Sequence, residues 1–282
     1  MLNRAEKFFK GFDQTKLFLQ TWENPKAQAT ILFTHGHGEH SDCYLRLVEG
    51  LNKHLPLNFI GWDLRGHGKS DGLRGYASDF HDYVSDYDCF IEEASRLPLI
   101  KNKPSFILGH SMGGLIQSCA LYEKKYTQFE AQILSSPLLG LELPIPVWKT
   151  SAVNLINAFI PKLTLGNEVR FDLLTRDLNV IREYEKDLYR HDKISTGVFI
   201  GIKREIEKMK NCGSDITLAT FMNISDHDPI VSTKDAVEFF ESISTHDKTL
   251  KMIDGARHEL YNDTCREEVF KSLAEFLQKH LE

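Results

Sequence analysis

The chain has 282 residues, 41% of them hydrophobic and 26% charged, and a formal net charge of −6. That balance sustains a large buried core and excludes the basic footprint of a nucleic-acid-binding protein. The five cysteines (43, 89, 119, 212 and 265) are odd in number and lack CxxC spacing, which argues against a disulfide framework or zinc knuckle and for a reducing, cytoplasmic setting.

The opening residues, MLNRAEKFFKGFDQTK, hold no apolar core long enough for a signal peptide. No run of ~18 apolar residues predicts a membrane span. Two short alternating runs, Glu6–Phe12 and Lys16–Trp22, flank Asp13, Gln14 and Thr15 and predict a hairpin. Ile31–Phe33 is a buried apolar strand before a Gly-rich turn. Asn58–Trp62 is another strand, ending in the turn-rich DLRGHGKSDG. A helix is predicted over about Ser78–Leu97. Strand Ser105–Leu108 runs into GHSMGG and a helix to about Tyr126, with Leu115, Cys119 and Tyr122 on one face. Strand Ala131–Leu134 follows.

In the last third, strand Thr217–Met222 precedes a helix carrying Ala236, Phe239, Phe240 and Ile243 as a stripe. Strand Lys248–Ile253 precedes the final helix, where Thr264 and Glu267 have capping-box spacing. Strands alternating with helices imply an α/β architecture, a mostly parallel sheet covered on both faces. Residues 137–213 break the rhythm with four early prolines and then helical patterns lacking an obvious buried strand. They predict an inserted helical cap, with residues 1–136 and 214–282 forming one core domain.

Gly109-His110-Ser111-Met112-Gly113 is a GxSxG motif between an apolar strand and a helix. A sharp turn there exposes the serine hydroxyl at a helix N-terminus, where free N–H groups favour negative charge. Such a hydroxyl needs a base, and in this architecture the order is Ser, Asp or Glu, His. Asp226 and Asp228 follow one strand and His258 follows the next, both beyond strand C-termini, where open α/β sheets place their sites. The tetrahedral intermediate needs backbone N–H donors. These are assigned to Met112, after the nucleophile, and to His37, by its position in the turn after Ile31–Phe33.

That same turn, ILFTHGHGEHS, carries His35, His37 and His40 and is similar to the HxHxDH motif of metallo-β-lactamase-fold hydrolases. Position 39 is Glu rather than Asp, no convincing distal ligand set is found, and a metal reading leaves the elbow unexplained. No metal is therefore assigned.

Taken together, His35–Ser41 (HGHGEHS), Asp63–Ser70 (DLRGHGKS), Gly109–Gly114 (GHSMGG), Ser136–Leu139 (SPLL), Asp228–Val231 (DPIV) and Gly255–Glu259 (GARHE) resemble the monoacylglycerol lipase and lysophospholipase family of α/β hydrolases. The resemblance spans nearly the whole chain and is weakest within the cap. It implies the α/β-hydrolase fold, hydrolysis of single-acyl lipid esters without a cofactor, and Asp228 rather than Asp226 as the third member of the triad. Two departures are His37, where small residues are common, and Ser225, where Gly is usual. The cap segment VWKTSAVNLINAFI is apolar over a wide arc if helical. Trp148, Ile156 and Phe159 within it are the candidates for lining an acyl pocket or touching a lipid surface.

Overall fold

The computed structural model describes residues 2–142, 158–160 and 162–281. Ten strands lie among them: β1 (Asn3–Lys10), β2 (Lys16–Glu23), β3 (Ala29–Thr34), β4 (Leu57–Trp62), β5 (Ser105–His110), β6 (Ala131–Ser135), β7 (Thr164–Gly166), β8 (Lys193–Ser195), β9 (Ala219–Ser225) and β10 (Lys248–Ile253). Eight of them form one sheet in the order β1-β2-β4-β3-β5-β6-β9-β10. The β1–β2 and β2–β4 pairs are antiparallel, and every pair from β4 to β10 is parallel.

Strand β10, at the sheet's edge, is buried only at Ile253, whereas strands β3 to β6 and β9 are buried on both faces, which is why they read as largely apolar runs. Their side chains alternate between two core clusters. Ile31, Phe33, Phe106, Leu108 and Phe221 face one cluster with α1 (Leu45–Leu51) and α8 (Arg266–Lys279). Leu32, Ile60, Trp62, Ile107 and Met222 face the other, with α2 (His81–Ser95), α3 (Met112–Glu123) and α7 (Thr233–Ser242).

Several predicted boundaries move for local reasons. Helix α2 starts at His81 because the Asp82 carboxylate takes the N–H groups of Ser78 (2.8 Å) and Asp79 (3.2 Å) in a turn. Helix α3 stops at Glu123, since Lys124 is extended at φ −131°, ψ 121°. It is buried almost all round through Leu121, whereas Tyr122 is exposed, so the predicted stripe is only its inner part. The Thr264–Glu267 capping box does not form. Cys265 is the N-cap, without a side-chain cap bond, and the Thr264 N–H instead donates to Asp263 Oδ1 at 2.7 Å.

The described part of residues 137–213 contains α4 (Phe171–Leu174), α5 (Leu178–Tyr184) and α6 (Thr196–Met209), with a short antiparallel β7–β8 pair that the helical pattern did not predict. Val180, Tyr184, Val198, Ile202, Ile206 and Met209 belong to the same cluster as the α2 and α3 side chains. These described side chains are therefore continuous with the sheet's own core.

Candidate active site

Strand β5 ends at a bend that Ser111 makes at φ 51°, ψ −119°. A non-glycine residue pays about 1–3 kcal/mol for such a conformation, and it persists where the surroundings dictate it. Here they do. The Ser111 N–H donates to the Ser135 carbonyl (3.0 Å), and the Ser111 carbonyl accepts from Gly114, Leu115 and Leu138. Gly113 sits against the end of β3, where a Cβ would fall 2.3 Å from the Thr34 carbonyl oxygen.

The sheet order places the loops after β9 and β10 on the same edge of the sheet as this elbow. The Ser111 hydroxyl donates to His258 Nε2 at 2.9 Å, and His258 Nδ1–H donates to Asp228 Oδ2 at 2.8 Å. The other Asp228 oxygen accepts the N–H groups of Ile230 (2.8 Å) and Val231 (3.1 Å). Burial opposes charge on both partners. Even so, the Asp228 charge and hydrogen bond hold His258 above its ordinary pKa, and His258 with the two backbone donors holds Asp228 below its own. The Ser136 hydroxyl donates to the His258 carbonyl (2.9 Å) and fixes its loop.

Asp226 does not meet His258. Its Oδ1 accepts the Gly255 N–H at 2.8 Å and its Oδ2 faces His227 Nδ1 at 2.9 Å, so it braces the two loops against each other.

Met112 is the first residue of α3, and its N–H belongs to the first-turn donors that no helix carbonyl can reach. His37 lies in the turn after β3. That turn passes so near the elbow that a Cβ on Gly36 would be 3.1 Å from Ser111 Cβ. The His37 ring packs against His67 and His191, with Nε2–H donating to the Lys193 carbonyl at 3.0 Å.

His35, His37 and His40 diverge rather than converge. His35 Nδ1–H donates to the Gly36 carbonyl (2.7 Å) and its Nε2 accepts the Leu64 N–H (3.0 Å), which leaves no lone pair for a metal. His40 Nε2 meets Asp187 Oδ2 at 2.8 Å. Phe159 is 78% exposed and Ile160 56%. Trp148 and Ile156 lie outside the described residues.

Sequence reasoning missed the groups behind the triad. Glu39, within HGHGEHS, accepts the Gly36 N–H (2.5 Å) and the Tyr44 hydroxyl (2.8 Å). Glu259, next to His258, accepts from Asn262 Nδ2 (2.9 Å) and the Tyr184 hydroxyl. Arg190 lies between the two acids, with Nη2 at 3.0 Å from Glu259 and 3.5 Å from Glu39 and its side chain only 5% exposed. Burial and the Glu259 charge push Glu39 up to about 7, whereas Arg190 holds Glu259 below its ordinary value against burial. Both glutamates stand inside quoted motifs and could have been singled out there. Arg190 carries no motif signal.

Residues 25–265 match the hydrolase family described as serine aminopeptidase, S33. The chain is 32% identical to monoglyceride lipase of Rattus norvegicus, over 89% of its own length and 82% of that protein. It is 27% identical to phospholipase YtpA of Bacillus subtilis, over 93% and 99%. Among solved structures it superposes on a monoacylglycerol lipase of Paleococcus ferrophilus with a TM-score of 0.79, at 26% identity and 99% coverage of both chains.

Proposed function

The chain belongs to the serine aminopeptidase, S33 family of α/β hydrolases, and from that premise we propose that it cleaves single-acyl lipid esters, monoacylglycerol to glycerol and free fatty acid, through an acyl-enzyme on Ser111. The observation that carries this reading is the unbroken Ser111–His258–Asp228 chain of hydrogen bonds at a positive-φ elbow. His258 takes the hydroxyl proton as Ser111 Oγ attacks the ester carbonyl carbon. Asp228 fixes the tautomer and stabilises the imidazolium. The N–H groups of Met112 and His37 receive the oxyanion. The proton on His258 then passes to the leaving alkoxide, and water, activated by the same imidazole, releases the fatty acid.

The choice of a glycerol ester rests on the relatives named monoglyceride lipase. The relative named phospholipase supports lysophospholipid as the second substrate class. Parallel assays on monoacylglycerol, lysophospholipid, p-nitrophenyl ester and aminopeptidase substrates separate these readings. Monoacylglycerol is expected to give the highest kcat/KM, and preference for an aminoacyl amide would overturn the lipid reading. A fluorophosphonate probe is expected to label Ser111 stoichiometrically in protein pretreated with EDTA. Labelling that disappears on chelation and returns with added metal would refute a metal-independent nucleophile.

Residues 137–213 serve in this reading as the cap over the acyl site. No helix of the described residues is long and apolar enough to cross a membrane. Phe159, Ile160, Leu163 and Leu165 form an exposed apolar group in the insertion, suited to contact with a lipid aggregate. Phe159→Ser is expected to lower activity on long-chain monoacylglycerol several-fold and leave a short soluble ester unaffected. Equal losses on both substrates, with a lowered melting temperature, would make Phe159 a packing residue instead.

A further inference from the structure

Three imidazoles meet beside the turn after β3. His37 comes from that turn, His67 from the loop after β4 and His191 from the segment before β8. Their ring centroids are 5.2 Å (His37–His67), 5.6 Å (His37–His191) and 4.5 Å (His67–His191) apart. Each ring contributes one nitrogen to a group whose members all lie within 4.8 Å of one another.

Two tautomers are fixed by backbone carbonyls. His37 Nε2–H donates to Lys193 (3.0 Å), so Nδ1 bears the lone pair. His67 Nδ1–H donates to Arg65 (2.9 Å), so Nε2 bears it. Both lone-pair nitrogens are buried and have no partner in the structure, as has His191 Nε2. Buried polar atoms are normally satisfied, and three orphaned nitrogens converging on one point mark a missing ligand. A ring N–H anchored on a carbonyl while the opposite nitrogen is free is the arrangement that orients metal-binding histidines. Burial also favours the neutral rings that ligation requires.

We propose that His37, His67 and His191 bind one divalent transition-metal ion of the zinc class, joining the turn after β3 to the loop after β4 and the segment before β8. Imidazole suits zinc, copper, nickel and cobalt, and three such ligands leave a fourth position for solvent. Nitrogens around a tetrahedral zinc stand ~3.3 Å apart at the usual bond length, so the rings draw together by at most about 1.5 Å. His191 must carry its proton on Nδ1 and give up the Lys193 N–H that approaches it at 3.2 Å. The nearby charges on His191 are one of each sign, Arg74 and Asp192. The site shares His37 with the proposed oxyanion turn, through the ring rather than the backbone N–H, and no residue with Ser111, His258 or Asp228; its occupancy does not rest on the hydrolase reading.

Zn(II) titrated calorimetrically into the chelator-treated full chain is expected to bind at one equivalent. Co(II) is expected to give visible d–d bands of nitrogen ligation without a thiolate charge-transfer band. His191→Gln should weaken binding roughly tenfold or more, with its fold checked by circular dichroism, and His37→Ala serves as the second variant. Ser111→Ala and Cys43→Ala should bind as the wild type does. Absence of saturable binding, binding indifferent to both histidine variants, or a thiolate band lost in Cys43→Ala would overturn the assignment. That last result would place the ion at the neighbouring His40, Cys43 and Asp187 group.

Discussion

Ser111→Ala is expected to lower kcat for ester hydrolysis by at least about 10⁴-fold, because only binding and the oxyanion donors then remain to act. The Ser111 hydroxyl donates only toward His258, and the backbone bonds that hold the elbow are made by its N–H and carbonyl. The variant should therefore keep its melting temperature within a few degrees of wild type. A preparation freed of contaminating esterase that still turns over at near wild-type rate would end the case for this nucleophile.

Asp228→Asn should cost about 10⁴-fold in kcat, and Asp226→Asn less than about tenfold, the scale of one peripheral hydrogen bond. Only Asp228 touches the imidazole, whereas Asp226 holds the Gly255 N–H. The same variant tests the electrostatics. His258 must be neutral to accept the serine proton. Its raised pKa therefore puts the acid limb of kcat/KM above the ordinary imidazole value of 6.5, with activity lost as pH falls through it. Removing the Asp228 charge should move that limb to lower pH. The stability linkage has two limbs. The raised His258 pKa contributes stability present below the unfolded imidazole pKa and lost as pH rises through the folded one. The lowered Asp228 pKa contributes stability present above the unfolded carboxyl pKa and lost as pH falls through the folded one. Equal losses for the two asparagine variants, or an acid limb that does not move, would reassign the orienting carboxylate.

The sheet was legible because its central strands are buried on both faces and read as largely apolar runs. The elbow was legible because a strand, a GxSxG turn and a helix occur in immediate succession. The choice between Asp226 and Asp228 was not available from spacing, since both follow β9 within three residues and only the direction of each side chain distinguishes them. The β7–β8 pair escaped because three-residue strands have no periodicity to detect. The Glu39–Arg190–Glu259 group escaped because charged residues ordinarily face water, and nothing local to position 190 announces that its side chain is inside.

That buried arginine bears on how substrate enters. Arg190 lies between α5 and β8, while the two acids it joins belong to the turn after β3 and the loop after β10. Withdrawing it while the surrounding loops stay closed would leave Glu39 and Glu259 buried without their cation, at about 3–5 kcal/mol for a broken buried pair. Conformations with this latch undone would then be populated in fewer than about one molecule in a hundred. Rigid displacement of the segment that carries Arg190 would have to break both ion pairs at once. A substrate path that leaves Arg190 in place avoids that cost.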